Sequence, residues 1–207
     1  MLPLFFTLTL LLMIWIYYQK SRTDRSAKSA HEAFWDKERK ANLTRKKDLS
    51  ELEYITLPIE QLPFPNLEDT EITEVQNRLQ KLATEKIVNF TGITNTELKL
   101  QYGAPNIELL MAFDKNYLEL VRSLYRYAKL LYDKGYKEEA TAILEYGISI
   151  KTDVSANYTL LASIYKEKND TKRIDFIISQ AETLNSLTKN SLLTNLNTLK
   201  NSITKDV

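Results

Sequence analysis

The sequence predicts an all-α protein: an N-terminal membrane helix and stem, then a short solenoid of helical hairpins with an extended, proline-containing segment packed on it. Three observations carry this. Four glycines and five prolines in 207 residues, with 43% hydrophobic and 27% charged side chains, describe a helix-rich folded chain. An uncharged apolar run fills residues 2–18. From residue 114 onward the apolar positions recur with helical periodicity, and a block of 34 residues repeats.

Composition also narrows the chemistry. There is no cysteine and one histidine, which excludes disulfide frameworks, thiolate zinc sites, cysteine nucleophiles and His-rich metal sites. No glycine-rich phosphate loop, zinc-protease helix, nucleophile elbow or calcium loop occurs, and neither a catalytic site nor a cofactor is expected. His31 falls in the stem, where a surface role is expected. The near-balance of 28 basic and 27 acidic residues conceals a polarity: residues 19–47 carry about +6, residues 48–207 about −5.

The first element, residues 1–19, reads as a single-pass anchor. Its seventeen uncharged residues span about 25 Å as a helix, slightly under a bilayer core of roughly 30 Å. Trp15, Tyr17 and Tyr18 close it with rings suited to the headgroup layer, and Lys20 and Arg22 follow as water-side anchors. A cleaved signal peptide would place its basic residues first; here they follow, so an uncleaved anchor is expected. Positive-inside asymmetry puts the N-terminus outside and the folded part in the cytoplasm, with the basic stem, residues 20–48, near anionic lipid. Nucleic acid is a poor partner for the same residues.

Residues 26–42 predict a helical stem, with an ion pair from Asp36 to Lys40 and a stripe of Ala27, Ala30, Phe34, Lys37 and Ala41. Trp35 lies beside that stripe and reads as a packing residue or a binding anchor. Residues 49–68 cannot form one helix, because Pro58, Pro63 and Pro65 interrupt them. Their apolar side chains predict a chain stretched across the helical domain. Residues 69–120 read as flanking helices, the first over 73–90, with a capping box of Thr94 and Glu97.

The repeat occupies residues 121–154 and 155–188. Shifting by 34 superposes Tyr127 on Leu161, Ala128 on Ala162, Leu131 on Tyr165, Ala140 on Ile174, Leu144 on Ile178 and Gly147 on Ala181. Two helices of about a dozen residues, joined at Gly135 and at Asn169–Asp170, form each hairpin. Small residues sit where the helices cross, and large ones fill the space between hairpins. A C-terminal helix, residues 189–207 with Leu192, Leu193, Leu196, Leu199 and Ile203, caps the stack.

This pattern resembles tandem tetratricopeptide repeats, and YAKLLYDKGYKEEATAILEYGISI is similar to that family's signature. Departures are Leu124 and Tyr158 at the usual tryptophan, Ile174 at a small crossing position, and Thr152 and Ser186 for the closing proline. The whole chain, FWDKERKANLTRKKDLSELEYITLPIEQLPF included, is also similar to a group of bacterial membrane-anchored tetratricopeptide proteins, a resemblance that carries no activity with it. The resemblance implies a groove formed by the first helix of each repeat: Arg122, Tyr125, Arg126, Lys129, Tyr132 and Asp133, then Ala156, Thr159, Leu160, Ser163, Lys166 and Glu167. Its first half is basic and aromatic, and would suit an acidic or C-terminal peptide. The expected function is an adaptor or assembly factor that binds a protein or peptide; the alternative is a scaffold subunit of a membrane complex whose groove is filled by its own extended segment.

Overall fold

In the computed structural model the described residues are 2–203, apart from the side chains of 2–5, 24–27 and 203, and all regular secondary structure among them is helical, with no strand. Ala27 of the predicted stem stripe and Ile203 of the predicted cap therefore have side chains outside the described residues. The chain divides into two compact units, Met1–Asp48 with Thr94–Ile107, and Leu49–Ile93 with Glu108–Val207.

The first unit is built on α1 (Leu2–Asn42), one uninterrupted helix of 41 residues that joins the predicted anchor to the predicted stem. Phe6, Leu8 and every residue from Leu10 to Tyr18 are exposed along it. Among the described residues no helix is long and apolar enough to cross a membrane. The predicted span begins in residues 2–5, whose side chains are among those not described.

The stem end of α1 is tied to α3 (Asn95–Tyr102) by polar groups. Lys99 Nζ donates to Glu38 Oε1 at 2.5 Å and to Asn42 Oδ1 at 2.8 Å, and Thr96 Oγ1 donates to Glu38 Oε2 at 2.6 Å. Lys99 and Thr96 together hold the Glu38 carboxyl below its ordinary range. Ala41 is fully buried, small enough for the close approach. Gly103 (φ +95) is required, because a Cβ there would lie 2.2 Å from the Arg45 carbonyl oxygen. The Thr94–Glu97 capping box forms as predicted. Asp36 pairs with Arg39 one turn away, not with Lys40 as predicted. Trp35 remains 47% exposed, donates to His31 Nε2 at 2.9 Å and packs edge-on against Phe34 of its own helix.

The second unit holds α2 (Thr70–Leu82), α4 (Ile107–Asp133), α5 (Lys137–Ser149), α6 (Ser155–Glu167), α7 (Thr171–Glu182) and α8 (Lys189–Ile203). Helix α2, started by the Asp69 side chain accepting from Ile72 N–H, ends well before the predicted residue 90. Ile87 and Val88 are β-branched and bury their side chains as extended chain, with Ile87 O accepting from Ile55 N–H at 2.9 Å. Helix α4 is also longer than the predicted dozen residues, because residues 107–120 continue the same buried stripe through Leu110, Phe113, Tyr117 and Leu120.

The 34-residue period is visible in the backbone itself. Gly135 (φ +89) and Asn169 (φ +54) occupy equivalent left-handed turns. Tyr136 N–H donates to Leu131 O and Asp170 N–H to Tyr165 O, both at 2.9 Å; Ala140 N–H donates to Tyr136 O and Ile174 N–H to Asp170 O. Five of the six superposed pairs share burial: Tyr127 with Leu161, Ala128 with Ala162, Leu131 with Tyr165, and Ala140 with Ile174 are at most 3% exposed, and Gly147 and Ala181 are both buried, whereas Leu144 is fully buried and Ile178 only half-buried. At Gly147 a Cβ would come within 2.8 Å of Asn157 Oδ1, so α6 approaches α5 closely there. Helix α8 packs against both α6 and α7 and buries Leu192 and Leu196.

The extended segment lies on these helices as a strap. Leu52, Leu57 and Leu62 are buried, Phe64 stacks on Tyr127 at 5.4 Å, and three side chains hold the strap's backbone carbonyls. Tyr127 Oη donates to Pro63 O at 2.9 Å, Tyr146 Oη to Thr56 O at 3.1 Å, and Gln76 Nε2 to Pro65 O at 3.1 Å. Burial pushes the Tyr146 hydroxyl up to about 12, so it stays a proton donor at any physiological pH.

Candidate binding face

Helix α4 turns one stripe inward, Val121, Leu124, Tyr127, Ala128 and Leu131, which leaves Arg122 and Arg126 on the opposite, exposed side. Beside them α2 contributes Val75 and Arg78, and the preceding turns of α4 contribute Lys115, Glu119 and Ser123. Together these residues line an open depression of about 410 Å³. Val75 and Ser123 are buried at its floor, and four cations stand around it.

Counter-charges only partly neutralise the depression. Arg78 Nε lies 3.7 Å from Glu119 and Arg126 Nη2 lies 3.7 Å from Glu71, long and exposed pairs of small energetic worth. Arg122 and Lys115 make no ion pair among the described residues. Such a face presents guanidinium groups still able to take a bidentate carboxylate.

Of the predicted groove residues, Arg122 and Arg126 line the depression and the others do not. Tyr125, Lys129, Tyr132, Thr159, Ser163 and Lys166 are half-buried. Lys129 is held by Asp133 at 2.5 Å, which raises its pKa. Tyr132 Oη donates to Glu167 at 2.9 Å, and Lys137 pairs with the same carboxylate at 2.5 Å. Lys137 first, then Tyr132, holds the Glu167 carboxyl below its ordinary range. Thr159 and Ser163 donate back to carbonyls of their own helix. Thr159, Ser163 and Glu167 of the α6 half are therefore satisfied within the domain, while Lys166 makes no ion pair among the described residues; the open cationic cluster lies between α2 and α4.

Arg78 and Lys115 were not among the predicted site residues. Their only sequence signal was positive charge on the solvent side of amphipathic helices, and nothing local specifies that α2 lies beside α4. The strap, placed over Tyr127 and Tyr146, leaves Arg122 and Arg126 exposed. At the other end of the chain, Trp15, Tyr17 and Tyr18 are 58%, 76% and 64% exposed, followed by exposed Lys20 and Arg22. Among the described residues no three His, Asp or Glu side chains converge as a metal site would require.

No protein-family model, no curated protein and no solved structure matches the chain.

Proposed function

We propose that the protein is a single-pass, membrane-anchored interaction module of tetratricopeptide-like build, an adaptor or assembly factor with no enzymatic activity of its own, whose cationic face on α2 and α4 holds an acidic segment of a partner protein. One observation carries the reading: Arg122 and Arg126 stand exposed around a floor of Val75 and Ser123, joined by Arg78 and Lys115, and the strap leaves them uncovered. The 34-residue backbone period supports the repeat class. The exposed apolar residues of α1, closed by Trp15, Tyr17 and Tyr18 and then by cations, support insertion of residues 2–18 into a bilayer with the repeats on its cytoplasmic side.

The test is crosslinking in native membranes, comparing wild type with the Arg122→Glu, Arg126→Glu double variant. Both positions are exposed, so the variant keeps its melting temperature. It loses one discrete partner if the face is a recognition site, whereas an unchanged set of crosslinked subunits supports the scaffold reading, which the internal pairing of Thr159, Ser163 and Glu167 favours. Insertion is checked separately: Leu10→Asp with Ile14→Asp should release the chain from alkaline-washed membranes.

A further inference from the structure

A further cleft opens between α5 and α7, over residues of α6. Its volume is about 430 Å³. Ile148, Leu161 and Ile177 form the floor, Phe176 stands at the edge 59% exposed, and Lys172 and Arg173 form a basic rim. Arg173 is fixed in place, pairing with Glu145 at 2.9 Å and lying 5.2 Å above the Tyr165 ring. Lys172 makes no ion pair among the described residues.

The repeat itself indicates what this cleft suits. Thirty-four residues before Leu161 stands Tyr127, and there the chain supplies its own ligand: Phe64 stacks on the ring, and Tyr127 Oη takes the Pro63 carbonyl. An extended segment carrying a proline and an aromatic ring is therefore a chemistry that this surface already binds one repeat earlier. Three substitutions between the blocks make two changes to the rim. Glu138 and Glu139 of the first block become Lys172 and Arg173 in the second, and Ala142 becomes the exposed Phe176. The first change reverses the charge at the edge; the second adds an aromatic wall.

We infer that the α5–α7 cleft docks an extended segment of a partner protein that carries an aromatic residue flanked by carboxylates. The ring enters between Phe176 and the Leu161–Ile177 floor, and the carboxylates meet Lys172 and the outer edge of Arg173. This site is independent of the α2–α4 face, so either can fail without the other.

The probe is a synthetic, fluorescently labelled peptide with the chain's own strap sequence, LPIEQLPFPNLE (residues 57–68), which combines the aromatic ring with two carboxylates. It is titrated by anisotropy against the full chain in nanodiscs of zwitterionic lipid. Saturable binding is expected, weakened about tenfold or more by Phe64→Ala in the peptide, as loss of one anchoring aromatic predicts. Phe176→Ser or Lys172→Glu in the protein should weaken it comparably, with melting temperatures unchanged. Added salt should weaken binding to wild type more than binding to Lys172→Glu. Absence of saturable binding, or equal binding by wild type and both cleft variants, overturns the proposal; the second result would mean that the peptide enters by displacing the strap at Tyr127.

Discussion

The two 34-residue blocks share a backbone and differ in what they present. Residues 121–154 and 155–188 repeat the same turn hydrogen bonds and most of the same buried positions, yet Ala140 corresponds to Ile174, Glu138 and Glu139 to Lys172 and Arg173, and strap-covered Tyr127 to Leu161. The core register fixes the frame, and the outward positions between its constraints are free to vary. Recognition therefore has to be sought in the outward residues, block by block.

The comparison breaks most severely in the core. Leu124→Ala should cost about 2–5 kcal/mol, because a fully buried leucine leaves a cavity. One shared urea transition is expected, since both blocks bury side chains in a common cluster. Separate transitions for the two blocks would show that the repeats fold independently. Ala128→Leu should cost about 1–3 kcal/mol by overpacking at a fully buried site, and Ala162→Leu a similar amount. An unchanged melting temperature in either would remove the 34-residue register.

The turns sharpen the same comparison. Gly135→Ala, at φ +89, should cost about 1–2 kcal/mol, since a β-carbon is disfavoured in that conformation although nothing lies within 4 Å of it. Asn169→Gly should change stability by only about 0.5 kcal/mol, because asparagine tolerates the left-handed region. A Gly135→Ala cost no larger than that of Asn169→Gly would contradict the left-handed turn at Gly135.

The smallest effect concerns pH. In the folded protein Glu167 titrates below its ordinary value of 4.5, held there by Lys137 and then by Tyr132. Its stabilisation is therefore present above that ordinary value and disappears as pH falls through the lowered folded value. Glu167→Gln should lower the melting temperature slightly at neutral pH, with the difference from wild type vanishing in acid. A difference that persists in acid would show that the carboxylate acts through packing and not through charge.

Much of the fold was legible because it rests on local rules. Gly135, Asn169, the Thr94–Glu97 box and the strap's prolines each constrain neighbouring backbone, and the periodic apolar positions of α4 to α8 mark their buried faces. Three features were not legible, for one shared reason: each depends on residues distant in sequence. Helix α2 stops at Leu82 because Ile87 and Val88 find burial as extended chain against the strap. Residues 94–107 belong with the stem because Lys99 and Thr96 meet Glu38. The cationic depression needed Arg78 and Lys115 beside Arg122 and Arg126, a pairing of α2 with α4 that no local pattern encodes.

The central claim is that the α2–α4 face is a recognition surface, and site-specific photocrosslinking tests it most directly. A photoreactive amino acid replaces Arg122 in the full chain in its native membranes, and a control chain carries it at exposed Glu85, outside the depression. A discrete adduct from position 122, absent from position 85 and suppressed by Arg78→Glu with Lys115→Glu, is the predicted result. No adduct, or the same adducts from both positions, would contradict it.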